Sequence, residues 1–276
     1  MTIGYRIKIH RRFGIFLLGM IVAAPSAADL VFSAPPRESA AKAKEVYQPI
    51  ADYLSKIAGQ KVMFRYADNW LSYQSDMLKG IYDIVFDGPH FVSWRMAKQD
   101  HSPLVNLPGN LVFVAIAKKD NDAVKELKDA MGRSLCGFPP PNLATLTVLY
   151  EFKNPVRQPL LVEVKSFQAA YKSVVEGKCV AGVIQAKLWE EFDKEKGATK
   201  VLFKSKPVPN QGFSAGGPRV SPELRVKIAE ALLSEEGKTA TKHLRDEFKG
   251  LDFVPAKKEE FEGVAVVLRD VWGFEL

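Results

Sequence analysis

From Asp29 onward the chain alternates short apolar runs with longer stretches whose apolar residues recur every three or four positions. "LVFSA" (30–34) predicts a buried strand, and "AAKAKEVYQPIADYLSKIAG" (40–59) predicts an amphipathic helix closed by Gly59. "KVMFRYA" then predicts a strand, "WLSYQSDMLKG" a helix ending at Gly80, and "YDIVFDGPHF" a buried strand whose Gly-Pro turn opens a helix through "VSWRMAK". Strand and helix in steady alternation imply parallel strands joined by helical crossovers. After the apolar run "LVFVAIAKKD" (111–120) the pattern starts again. "DAVKELKDAMG" predicts a helix, "RSLCGF" a strand, "NLATLTVLYEF" a helix ended by Asn154-Pro155, "PLLVEV" a strand, "FQAAYKSVVEG" a helix and "CVAGVIQ" a strand. Three helix-like stretches follow "KVLFKSKPVPNQGFSAGG", the first started by Ser221-Pro222-Glu223.

The expected fold is therefore α/β, with two similar lobes and two crossings between them. Residues 29–114 and 206–276 form one lobe, the C-terminal stretches packing back on it, and residues 115–205 form the other. A cleft between two such lobes is a favoured ligand site, and hinge closure is its usual motion.

The first 28 residues follow a different rule. Arg6, Lys8, Arg11 and Arg12 precede the apolar run "FGIFLLGMIVAA", and small residues stand at Ser26 and Ala28. This is the layout of an export signal peptide spanning residues 1–28, and an apolar run this short falls well below the roughly 20 residues that cross a bilayer. The expected location is the periplasm. Setting those four basic residues aside, 39 basic against 32 acidic residues become a surplus of +3 instead of +7. No basic stripe interleaved with aromatics remains, so nucleic acid is not an expected partner. Cys136 and Cys179, both in the exported part, suit either a disulfide or two buried thiols. Scattered histidines and two cysteines make no metal site, no cofactor is called for, and no G-x-S-x-G elbow or paired carboxylates point to an enzyme.

The runs "YQPIADYLSKIAGQKV", "YDIVFDGPHF" and "VVEGKCVAGVI", in this order and spacing, resemble the phosphate/phosphite/phosphonate-type (PhnD-like) periplasmic solute-binding proteins over residues 30 to 215. The resemblance implies a type II periplasmic-binding-protein fold: two doubly wound α/β lobes joined by two hinge strands, with a small-molecule ligand between them. It also implies delivery of that ligand to an inner-membrane transporter or, in some branches, to a sensor protein. Phosphonate-binding members of this family hold the oxyanion with a Ser-Thr-Ser run at the first helix of the second lobe; Asn142, Leu143 and Ala144 stand there, followed by Thr145. Trp70 matches an aromatic of the first lobe, Asp87 replaces a tyrosine, Phe167 replaces a histidine and Gln185 stands near a polar position.

The candidate ligand residues are thus Trp70, Asp87, His90, Phe91, Asn142, Leu143, Thr145, Phe167 and Gln185. Asp87 has a second reading as the cap of the helix it precedes. "PPP" (139–141) removes backbone donors, and a carboxylate at 87 repels a dianion. The expected ligand is organic and partly apolar, even lipid-like, and the protein is expected to be monomeric. Two alternatives remain: a small oxyanion held by the amides of 142–145, and a sensory accessory subunit of a membrane kinase. Arg37, in "APPRES", is read as a solvated side chain at the cleft mouth.

Overall fold

The structure, a computed structural model, describes residues 1, 2, 4, 28–269, 274 and 275, so the signal-peptide segment lies almost wholly outside the described residues. The chain opens with β1 (Leu30–Ser33), α1 (Ala40–Ala58), β2 (Val62–Phe64), α2 (Trp70–Leu78), β3 (Ile84–Asp87), α3 (Pro89–Lys98) and β4 (Ser102–Asn106). Short β5 (Asn110–Leu111) leads into β6 (Phe113–Lys118), β7 (Ser134–Gly137), α4 (Leu143–Tyr150), β8 (Leu160–Glu163), α5 (Phe167–Val175), β9 (Ala181–Gln185), α6 (Ala186–Asp193) and β10 (Thr199–Lys204). The return passes through β11 (Val208–Pro209) to β12 (Gly212–Ala215), α7 (Pro222–Leu233), α8 (Glu235–Ala240), α9 (Lys242–Glu247), β13 (Val254–Pro255), α10 (Lys258–Phe261) and a 3-10 turn, Val264–Leu268.

Two sheets result, ordered β13-β4-β12-β3-β1-β2 and β10-β6-β9-β7-β8. Their common part is the same: the strand that follows each crossing, β12 or β6, inserts antiparallel beside the third strand of its lobe. Strands β5 and β11 pair antiparallel where the chain passes between lobes. Because β6 belongs to the second sheet from Phe113, the first crossing ends slightly before the boundary after residue 114 expected from the pattern.

Period two along β1 and β3 sorts the core. Phe32 and Phe86 face α1 and α7, joining Tyr47, Ile50, Phe213 and Ile228. Val31 and Val85 face the other way, toward Tyr73 and Met77 of α2 and Phe91 and Trp94 of α3. In the second lobe Cys136 of β7 is bonded to Cys179, just ahead of β9, with Sγ–Sγ 2.07 Å and Cα–Cα 5.8 Å. β7 and β9 are parallel neighbours, and the sulfur positions decide the open question in favour of the disulfide.

One predicted helix is largely absent. "DAVKELKDAMG" keeps a single 3-10 turn, Leu127–Ala130. Asp129 there accepts the amides of Lys125 (2.8 Å) and Glu126 (3.0 Å), a local bond set that competes with helix propagation, and Gly132 turns the chain at φ 64°. The C-terminal region packs on the first lobe, β13 pairing with β4. Its last turn also reaches across: Ala265 and Leu268 join the cluster beneath α3, Ala265 N donates to Ser93 Oγ at 3.0 Å, and Val267 packs on the second lobe's core.

Candidate functional site

A cavity of about 510 Å³ lies between the lobes and beside the crossing strands. Its size falls within the range of small-molecule sites. The first lobe contributes the start of α3, Gly88 to Phe91, together with Trp70 at the start of α2. Trp70 stacks on Phe91 with centroids 6.1 Å apart and planes at 24°, and the His90 and Phe91 rings lie 4.2 Å apart. The second lobe contributes Pro139 and Pro141, the start of α4 and an edge-to-face pair, Phe138 and Phe167, at 5.0 Å. Leu111, Phe113, Gln185 and Gln211 close the hinge side, and Pro36, Arg37 and Phe248 flank the opening.

Seven of the nine residues expected from sequence line this cavity: Trp70, His90, Phe91, Asn142, Leu143, Phe167 and Gln185. Asp87 does not. It ends β3 on the face of Val85, fully buried, where its Oδ2 accepts the Tyr73 hydroxyl at 2.7 Å and lies 3.4 Å from both Nε and Nη2 of the equally buried Arg95. Its Oδ1 accepts the Gly88 amide at 3.0 Å, but Gly88 is itself the N-cap of α3 and no side chain caps the helix, so the capping reading does not hold. Burial pushes the Asp87 carboxyl up, while Arg95, Tyr73 and Gly88 pull it back. Its charge is spent on Arg95 instead of facing a ligand. The repulsion expected from the sequence is therefore removed. The signal for this was Arg95 itself, a cation eight residues on at a core-facing position of α3.

Thr145 is the second correction. Its side chain is fully buried, its hydroxyl donates to the Phe138 carbonyl at 2.7 Å, and it lies 2.8 Å from where a Cβ on Gly137 would sit. It holds the turn before α4 together and takes no part in the lining. Asn142 does line the cavity, but its Oδ1 already accepts the Ala144 amide at 3.0 Å, the helix taking its own cap. The turn ahead of Asn142 contains a cis peptide at Pro140–Pro141.

Sequence reasoning placed Arg37 at the cleft mouth without counting it among the ligand residues, and it missed Phe138, Gln211, Phe113, Leu111 and Phe248. Those at 111, 113 and 211 lie in the crossings, which adjoin the cleft in any two-lobed clamp, and that was a usable signal. Arg37 is exposed, yet it is the only charged side chain among the described residues lining the cavity. His90 is 4% exposed and spans the cleft: its Nε2–H donates to the Pro141 carbonyl of the other lobe at 3.1 Å. Burial, opposed by that bond and assisted by Arg37, lowers its pKa to about 3. Among the described residues no three His, Cys, Asp or Glu side chains gather as a metal site, and no helix is long and apolar enough to cross a membrane.

Two lobes, paired hinge strands and a cavity between the lobes define a clamp-type ligand-binding protein. Residues 32–261 match the family described as "ABC transporter, phosphonate, periplasmic substrate-binding protein", and the chain belongs to it. The phosphate-import protein PhnD of Mycolicibacterium smegmatis is 23% identical over 282 residues, covering 89% of this chain and 86% of that protein. Among solved structures, XAC2383 from Xanthomonas citri bound to ATP superposes with TM-score 0.64 at 12% identity, covering 87% of this chain and 96% of that one. PhnD1 from Prochlorococcus marinus in complex with methylphosphonate gives 0.60 at 14% identity, over 87% and 97%. Members of the family are binding components of transporters, not enzymes.

Proposed function

We propose that this periplasmic substrate-binding protein captures an organic anion, an acidic group on an aromatic or otherwise apolar body, and delivers it to its ABC transporter. The observation that carries this reading is the composition of the cavity wall. Arg37 supplies one positive charge at the opening, Asn142, Gln185 and Gln211 supply amides, and most other contacts are aromatic, aliphatic or proline. A bare phosphate would leave most of that apolar surface unused, and a neutral hydrocarbon would leave Arg37 without a partner. Membership of a phosphonate-type family supports a phosphorus oxyacid as the anionic group. With Asp87 neutralised inside the first lobe, the objection to an anion no longer applies. A lipid-like ligand gains no support from a cavity of this size.

Tryptophan fluorescence titration tests the reading, since Trp70 lines the wall. Benzylphosphonate is expected to bind more tightly than either inorganic phosphate or benzyl alcohol. Arg37→Ala should weaken benzylphosphonate by about tenfold or more, the scale of one charge-assisted contact. Phosphate binding more tightly than benzylphosphonate would overturn it.

A further inference from the structure

The bond between His90 and Pro141 fixes more than the lobes. A carbonyl oxygen only accepts, so Nε2 carries the ring hydrogen. In the neutral ring Nδ1 is then a bare lone pair, able to accept and unable to donate. Nδ1 is buried and has no hydrogen-bond partner. It lies above Gly88, 3.0 Å from where a Cβ on that glycine would stand, and both residues belong to the cavity wall. A second orphan belongs to the same wall: Gln211 Oε1, also buried and unpartnered, and also an acceptor.

A buried acceptor left unpaired is costly and calls for a donor, and on a cavity wall a bound ligand is one group that can supply it. Two acceptors call for donors on the ligand. The donor's charge state follows from the surroundings. Arg37 is the only charged side chain in the described lining, and it acts electrostatically on His90, which places the ring near the cationic end of the cavity. The nearby carboxylate, Asp87, is engaged by Arg95. An ammonium group would meet a cation and no carboxylate within the described lining.

We infer that His90 is a specificity-determining residue whose Nδ1 accepts a hydrogen bond from a neutral donor on the ligand, a hydroxyl or amide N–H close to the acidic group, so that hydroxylated organic anions are selected over plain or amino-bearing ones. This rests on the organic-anion reading above. Nε2 holds the cleft closed while Nδ1 reads what is inside.

Calorimetric titration of the full chain with benzylphosphonate, α-hydroxybenzylphosphonate and α-aminobenzylphosphonate tests it. The hydroxy compound should bind about tenfold or more tightly than benzylphosphonate, the gain of one satisfied buried acceptor, and the amino compound no more tightly than benzylphosphonate. His90→Gln, whose amide nitrogen can replace the Nε2 donor but offers nothing at Nδ1, should abolish the preference for the hydroxy over the plain compound. His90→Asn, which keeps a polar atom near Nδ1 and loses the reach to Pro141, should weaken all three. Equal binding of the hydroxy and plain compounds to the unmodified protein overturns this inference and leaves the organic-anion reading standing. Loss of affinity shared equally by both compounds in His90→Gln overturns it too, by placing the donor on the phosphonate itself. Binding of none of the three overturns the organic-anion reading and this inference with it.

Discussion

Asp87 and Arg95 show how one side chain's direction decides its role. A carboxylate at the carboxyl end of a parallel strand sits where α/β sheets bind ligands. Strand parity puts Asp87 on the face of Val85, beneath α2 and α3, where Arg95 and Tyr73 meet it. A buried pair of this kind contributes little net stability over an apolar pair, but removing one member leaves an uncompensated charge, at a cost of about 3–5 kcal/mol. Asp87→Asn is therefore expected to lower urea stability by about that amount, while the folded fraction binds ligand as before. Adding Arg95→Met should restore most of the loss, because no charge is then stranded. A variant with normal stability and lost binding would return Asp87 to the ligand. Residue identity and position were legible here; side-chain direction was not, because a capping, a ligand-facing and an ion-paired aspartate look alike in "VFDGPH". Trp70, Phe91 and Phe167 were easier, since an aromatic beside an interlobe cleft serves as wall whichever way it tilts. Arg37, read from the sequence as solvated at the cleft mouth, is exposed, and its place on the cavity wall went unread because exposure and wall position coexist there.

At the scale of elements, the strand-to-helix turn from β7 into α4 spends its polar side chains on itself. Prolines occupy three of its positions, Asn142 caps the helix, and the Thr145 hydroxyl is returned to the turn. What remains is an apolar shelf whose carbonyl at Pro141 receives His90. The disulfide fastens the strand that leads into this shelf: Cys136 lies on β7, and its partner precedes β9, whose end carries Gln185. Closing a loop between residues 43 apart in sequence restricts the unfolded chain by about 4 kcal/mol in the loop-entropy picture. Cys136→Ser with Cys179→Ser should reduce chemical stability by about 2–4 kcal/mol, measured as a lower denaturation midpoint, and matched midpoints with and without the bond would refute a structural role. The adjacency of these strands agrees with the doubly wound lobe expected from the sequence, whereas bonding itself needed the sulfur positions. The helix over "DAVKELKDAMG" failed for a local reason, an aspartate that satisfies two amides outside any helix.

The whole molecule repeats one sheet order twice and links the copies through paired crossing strands, an architecture that strand-helix alternation already implied. How firmly the copies close on each other was not readable, because it depends on contacts between residues far apart in sequence. Three contacts hold the closed form: the bond from His90 to Pro141, the 264–268 turn packed on α3 and α4, and Leu146 of α4, which is 2% exposed and belongs to the first lobe's cluster of Tyr73, Phe91 and Trp94 together with Ala265 and Leu268. Of these, Leu146 isolates closure best, since it buries a side chain of the second lobe in the core of the first. Truncating a buried leucine costs about 2–5 kcal/mol, and here the loss falls on the closed state, because an open cleft gives the side chain no such surroundings. A ligand that binds only the closed form loses affinity in proportion to the population of that form. Leu146→Ala should therefore widen the ligand-free particle in small-angle scattering and weaken benzylphosphonate by about tenfold or more, with saturating ligand restoring the compact profile. Loss of stability without a change in dimensions or affinity would instead make Leu146 an ordinary core residue and leave closure to the remaining two contacts.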